Sequence, residues 1–229
     1  MADISTNDVT YPANGVDGVG YLARPGDGGA HPGVIVIQEW WGLEGHIKDI
    51  AARFAREGFV ALAPDMYHGQ VATEPDEARK LVMAMNREQA NKDLLGAVRF
   101  LQSLPEVAPR KTGVIGFCMG GALALWLATA SADVAAAAPF YAGFRPGPEE
   151  LAKIEAELFC AFGADDAGIP LDGVRQFEDT LRLLDKRAVV KVYDGAPHSF
   201  FNDTKESYRP GAAQDAWEHA LDLFRRVLV

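Results

Sequence analysis

The residues best suited to chemistry lie in one short run, Gly116-Phe117-Cys118-Met119-Gly120-Gly121. An apolar β-branched stretch, Thr112 to Phe117, leads into it, and an apolar stretch of helical character, Met119 to Thr129, leads out. A nucleophile on a tight turn between a strand and a helix is a nucleophile elbow, here with cysteine where serine is more usual. Such a turn forces the nucleophile into a strained backbone conformation, so residues two positions to either side must lack side chains. The helix N-terminus aims its dipole and free N–H groups at the sulfur, which favours thiolate and any oxyanion that develops nearby. A glycine-rich turn around an inert cysteine would share this composition. A dinucleotide loop would not, because Cys118 stands where G-x-G-x-x-G needs its middle glycine.

A nucleophile of this kind needs a base, and on folds with such an elbow the acid and then the histidine follow it along the chain. Of the five histidines, His31, His46 and His68 precede Cys118, and His219 falls inside a helical pattern. His198 alone lies downstream in a loop, Gly195-Ala196-Pro197-His198, just after the last strand-like run. The acid is expected after the preceding strand, where Gly163-Ala164-Asp165-Asp166 stands. Asp166 is favoured and Asp165 is the alternative, a solvated turn aspartate if unused. Cys160 sits within an apolar strand-like run and reads as core.

These positions require elements to hold them. Strands are expected at Val34–Ile37, Phe59–Ala63, Thr112–Phe117, Val134–Tyr141, Leu158–Phe162 and Val189–Tyr193. Helices are expected at Glu44–Glu57, Pro75–Asn86, Arg87–Leu104, Met119–Thr129, Val174–Leu184 and from about Ala212 onward. The alternation is that of an α/β fold, a mostly parallel sheet with helices on both faces, in one domain over residues 1–229. Ligands bind such sheets beyond the carboxyl ends of the strands, where the candidate residues fall. The formal net charge of −10 argues against nucleic acid and anionic membranes as partners. Met1 to Asn14 has neither the basic nor the apolar region of a signal peptide, and two cysteines make no disulfide framework, so the expected compartment is the cytoplasm. The histidines are scattered, and neither C-x-x-C nor H-E-x-x-H occurs, so no metal or cofactor is expected.

Together these residues resemble the dienelactone hydrolase family of α/β-hydrolases, from about Gly18 to Leu228. The resemblance rests on Gln38-Glu39-Trp40-Trp41-Gly42, the cysteine elbow, the acid and histidine loops, and Pro64-Asp65-Met66-Tyr67. It implies a Cys118–His198–Asp166 triad, and a Glu39 that hydrogen-bonds the resting cysteine and keeps it protonated until substrate arrives. Where the family's best-known members carry an arginine four residues after the histidine, this chain has Asn202. Arg79 and Arg87 lie in the segment where a second substrate-binding arginine would be expected.

The chemistry so implied is acyl transfer from a small ester or lactone, with the Met119 and Trp40 backbone N–H groups as oxyanion donors. Trp40, Trp41, Tyr67, Tyr141, Phe200 and Phe201, with Asn202, are expected around an apolar pocket. Asn202 cannot neutralise a carboxylate, so dependence on an anionic substrate should be weak. A broad carboxylesterase or thioesterase, with activity on phosphate triesters, would use the same residues. A redox-active thiol protein and a non-catalytic binding protein are the readings outside hydrolysis. Oligomeric state is not legible.

Overall fold

The structure is a computed structural model that describes residues 3–13 and 15–229. The chain opens with β1 (Ile4–Ala13) and β2 (Val16–Pro25), which pair antiparallel. The alternating part runs β3 (His31–Ile37), α1 (Gly45–Arg56), β4 (Val60–Pro64), α2 (Pro75–Ala84), α3 (Arg87–Ser103), β5 (Val107–Phe117) and α4 (Met119–Ala130). It continues with β6 (Val134–Phe140), the single turn α5 (Pro148–Leu151), β7 (Glu157–Gly163), α6 (Leu171–Leu183), β8 (Ala188–Tyr193) and α7 (Pro210–Leu228). The eight strands form one sheet in the order β1-β2-β4-β3-β5-β6-β7-β8. Pairing is parallel from β4 to β8, and β2 joins β4 antiparallel.

Each element that the patterning predicts is present, with ends shifted by a few residues. β1, β2 and the single turn α5 are additional. Ser5 to Asp8 of β1 are exposed on an edge strand, so the apolar half of the alternation that marks a strand is missing there.

The helices follow from their apolar faces. α1 buries Ile47, Ile50, Ala51, Phe54 and Ala55 against the sheet, and Gly58, at φ 89°, ends it in the left-handed conformation. α3 is capped by Asn86, whose side chain accepts from the Gln89 N–H at 3.0 Å. α4 carries no charged side chain and is buried between the sheet and α3.

The connection β3-α1-β4 moves along the sheet in one direction and β5-α4-β6 in the other. Right-handed crossovers then place α1 and α4 on opposite faces. The reversal leaves a crevice between the carboxyl ends of β3 and β5, at Ile37 and Phe117. The loops leaving that crevice carry Glu39 and Cys118.

On the α1 face, Phe54 packs against Phe59, Trp217 and Phe224 at centroid separations of 5.7, 4.5 and 5.7 Å. It is fully buried and joins α1 to α7. Phe54→Ala is expected to destabilise the fold by about 3–5 kcal/mol. Urea denaturation followed by tryptophan fluorescence measures this, and a loss under about 1 kcal/mol would mean that the two helices do not depend on this contact.

Candidate active site

Cys118 sits between β5 and α4 at φ 56°, ψ −113°, a conformation that non-glycine residues adopt only where the surroundings enforce it. The enforcement is visible in its neighbours. A Cβ on Gly116 would meet the Gly120 carbonyl oxygen at 2.0 Å, and one on Gly120 would meet that of Ile37 at 2.4 Å. Only glycine allows β5, α4 and the end of β3 to approach so closely. The Cys118 N–H donates to the Phe140 carbonyl at 3.1 Å, and the thiol is partly exposed at the helix N-terminus. Among the described residues, the Met119 and Trp40 N–H groups donate to no other backbone group.

His198 and Asp166 come from the loops after β8 and β7. The two loops meet because Gly163 has no side chain: a Cβ there would lie 2.1 Å from the Ala196 carbonyl oxygen. The buried Asp166 accepts from His198 Nδ1 at 2.6 Å through one oxygen and from the Gly168 N–H at 2.9 Å through the other. Asp165 is exposed. The Tyr141 ring stands edge-on to the imidazole at 5.0 Å and limits its rotation. Burial opposes the charged imidazole, but the hydrogen bond to Asp166 and the neighbouring Cys118 sulfur outweigh it, and the His198 pKa is raised to about 10. Cys160 is fully buried in β7, and burial pushes its thiol pKa up, which makes it inert.

Glu39 is placed differently from what the family resemblance implies. Its carboxylate is buried, accepts from Tyr141 Oη at 3.1 Å, Ser199 Oγ at 2.9 Å and Asn202 Nδ2 at 2.8 Å, and takes no hydrogen bond from Cys118. Two of these donors, Tyr141 and Ser199, have positive φ angles of 38° and 58°. The carboxylate thus clamps two strained turns, one of them adjacent to His198. Asn202 is likewise turned inward, because its oxygen accepts from the Thr204 N–H and Oγ1 at 3.0 and 2.7 Å. An amide satisfied at both ends can be fully buried, and Asn202 is not at the pocket wall.

The cavity at Cys118 encloses about 360 Å³ and is lined by Trp40, Met119 and His198 together with residues that the sequence reading did not single out. Trp126 and Leu123 come from α4, Val82 and Met85 from α2 and its end, and Phe144 and Ile169 from later loops. Ala122 and Trp126 follow Cys118 by one and two helical turns, a spacing that could have placed them on its face. Four expected lining residues are elsewhere. Tyr141, Phe200, Phe201 and Asn202 are buried beneath the site, with Phe201 stacked on Phe117 at 5.2 Å. The tight turn after His198, closed by Asn202 N–H to Ser199 O at 3.0 Å, directs these aromatic rings into the core. Trp41 lines an outer cleft that also reaches Cys118 and His198, and Tyr67 lines an adjoining cavity. Of the two arginines, Arg79 pairs with Asp76 on an exposed surface, whereas Arg87 stacks over Trp126 at 4.2 Å and lines the cavity. Among the described residues no cluster of groups could hold a metal ion, and no helix is long and apolar enough to cross a membrane.

The sheet order and the positions of these side chains at the strand ends define an α/β-hydrolase fold. The chain belongs to the dienelactone hydrolase family, whose sequence pattern matches residues 19–228. It is 40% identical to protein usf of Aquifex pyrophilus over 96% of this chain and 98% of that one. It is 37% identical to a Synechocystis protein named "Putative carboxymethylenebutenolidase", over 99% and 98%. A solved dienelactone hydrolase-like promiscuous phosphotriesterase from metagenomic libraries superposes with a TM-score of 0.91 at 27% identity, covering all of both chains. The protein is therefore an ester or lactone hydrolase of this family.

Asp166→Asn should lower the pH at which His198 loses its proton, since the carboxylate is one of two groups that raise it. NMR titration of the imidazole measures this, and an unmoved midpoint would remove Asp166 as a cause. A pKa raised on folding also fixes the sign of the stability dependence. The contribution of His198 is complete below its ordinary value of 6.5 and is lost as pH rises through about 10.

Proposed function

We propose that the protein hydrolyses carboxylic esters and lactones through a Cys118–His198–Asp166 triad and a thioester intermediate. The observation that carries this reading is the 2.6 Å bond from Asp166 to His198 Nδ1, with the imidazole and the strained Cys118 on the wall of one cavity. The hydrogen bond to Asp166 favours the imidazolium of His198, the form that can protonate a leaving group. The thiolate adds to the acyl carbon, and the carbonyl electron pair moves onto oxygen between the Met119 and Trp40 N–H groups. Collapse of that adduct breaks the acyl–oxygen bond, and the imidazolium gives its proton to the departing alkoxide.

The sulfur is now neutral, so one of the two contributions that raise the His198 pKa is gone. The imidazole can then take a proton from water, whose oxygen attacks the thioester. Collapse releases the acid and restores thiolate and imidazolium. Asp166 holds the tautomer and stabilises the cation throughout. Glu39 acts on this machinery as a positioning residue, through the strained Tyr141 and Ser199 turns.

A broader reading, carboxylesterase activity extending to activated phosphate triesters, is favoured by the lining, which apart from His198 and Arg87 carries no charged side chain. An apolar wall discriminates weakly between neutral acyl groups. Arg87 supplies one cation for substrates that carry a carboxylate.

Mixing the protein with an activated ester and quenching within a turnover should give an acyl adduct on Cys118 by mass spectrometry. Cys118→Ala should abolish both adduct and turnover, while Cys160→Ala keeps them. Equal loss in the two folded variants would falsify the assignment. Asp166→Asn should lower kcat by up to about 10⁴-fold, because the amide misorients the imidazole, and Asp165→Asn by far less. The reverse order would move the acid to Asp165.

A further inference from the structure

The Cys118 cavity has a neighbour. A second cavity of about 280 Å³ lies between the loop after β4 and the α2–α3 junction. Its wall is more polar than that at Cys118 and includes His68, Asn86, Gln89 and Asp93. Met85 is the one residue that lines both cavities. Their walls also touch where Tyr67 Oη donates to Met119 Sδ at 3.1 Å.

The partition is not rigidly held. Met85 caps α2, and Ala78 is the only fully buried residue of that helix. The side-chain hydrogen bonds of α2 are local: Glu77 accepts from the Thr73 N–H and Oγ1 at 3.1 and 3.2 Å, and Arg79 donates to Asp76 at 3.0 Å. No ion pair ties α2 to the sheet among the described residues. α2 is held to the core by Ala78 and the half-buried Leu81, Val82 and Met85 alone, a small buried surface that opens at low free energy, and the unbranched Met85 side chain can take up other rotamers.

We propose that the two cavities form one acyl-binding channel, divided by Met85, which sets the length of acyl group the enzyme accepts. This rests on the ester-hydrolase reading above. The substrate class that fits is an open-chain ester whose acyl group is apolar next to the carbonyl, along Trp126 and Leu123, and polar at its far end. Beyond Met85 that end meets the Asn86 and Gln89 amides and the His68 ring.

The probes are para-nitrophenyl acetate and para-nitrophenyl ω-hydroxydecanoate, compared by the ratio of kcat/KM for the long ester to that for the short one. Met85→Ala should raise this ratio about tenfold by removing the partition. Ala84→Trp, which fills the distal cavity from an exposed position on α2, should lower it by about tenfold or more. A ratio that Ala84→Trp leaves unchanged would overturn the proposal.

A binding measurement separates this result from failure of the hydrolase reading. ω-Hydroxydecanamide should quench the tryptophan fluorescence of Cys118→Ala protein, and Ala84→Trp introduced into the same background should weaken that binding severalfold relative to butanamide. If the amide binds in this way but neither ester is turned over, the channel stands and the hydrolytic mechanism falls. If Ala84→Trp weakens both amides equally, the channel is refuted whatever the ester rates.

Discussion

Cys118 stands at the mouth of its cavity only because three backbone segments come closer together than side chains would permit. The end of β3, the end of β5 and the first turn of α4 meet where Gly116 and Gly120 have no Cβ. That contact holds the cysteine at positive φ, clear of the sheet, and leaves the N–H groups at the start of α4 directed into the crevice. It also decides what may follow β3. With the Ile37 carbonyl against Gly120, the next residues must turn outward, which places Trp40 on the cavity wall and Glu39 beneath it. A second close approach, at Gly163, brings the loop of Asp166 onto that of His198. Cys118, Asp166 and His198 are therefore positioned by backbone contacts between strand ends, and their side chains add only the last interactions.

The buried Glu39 ties these separate strand ends together. It comes from the loop after β3, yet its three donors belong to the loops after β6 and β8. Burying a carboxylate is unfavourable unless charge-assisted hydrogen bonds compensate, and three donors on two oxygens do so. The arrangement fixes Tyr141 and Ser199 in conformations they would not otherwise hold, and Tyr141 in turn supports the imidazole edge-on. Asn202 is accordingly part of this buried network. Its position in sequence, near His198, made it look like a substrate contact.

That contrast also explains what could be read from the chain. That Cys118, His198 and Asp166 would come together could be read because each lies in the loop or turn that follows a strand, and glycines mark the close approaches. The helices and central strands were legible because burial on one or both faces imposes a period. β1 was not, since its exposed polar residues carry little periodic signal. The pocket was legible only in part. Phe200 and Phe201 are close to His198 in sequence but turn into the core, whereas Val82 and Met85 of α2 and its end, Trp126 of α4 and Phe144 of the loop after β6 are brought to the cavity from three separate places. Such a wall is set by tertiary packing of helix and loop faces, and local sequence does not record which face turns inward. Trp126 differs, since its helical spacing from Cys118 is a signal that could have placed it.

The sheet stops at β8, and that free edge has a consequence for how the chain behaves at high concentration. β8 reads Ala-Val-Val-Lys-Val-Tyr, with Val189 and Val192 exposed, a short hydrophobic strand of the sort that recruits another strand in register. Lys191 interrupts the run. Its ammonium is paired with Asp215 of α7 at 2.5 Å and lies 2.9 Å from His219 Nε2. A second copy of β8 would have to bring its own lysine up to this one or strip Asp215 away, and either costs free energy in a partly dry interface. Lys191, anchored by the last helix, is thus the one charged side chain in an otherwise apolar edge strand, the place at which gatekeeper residues act.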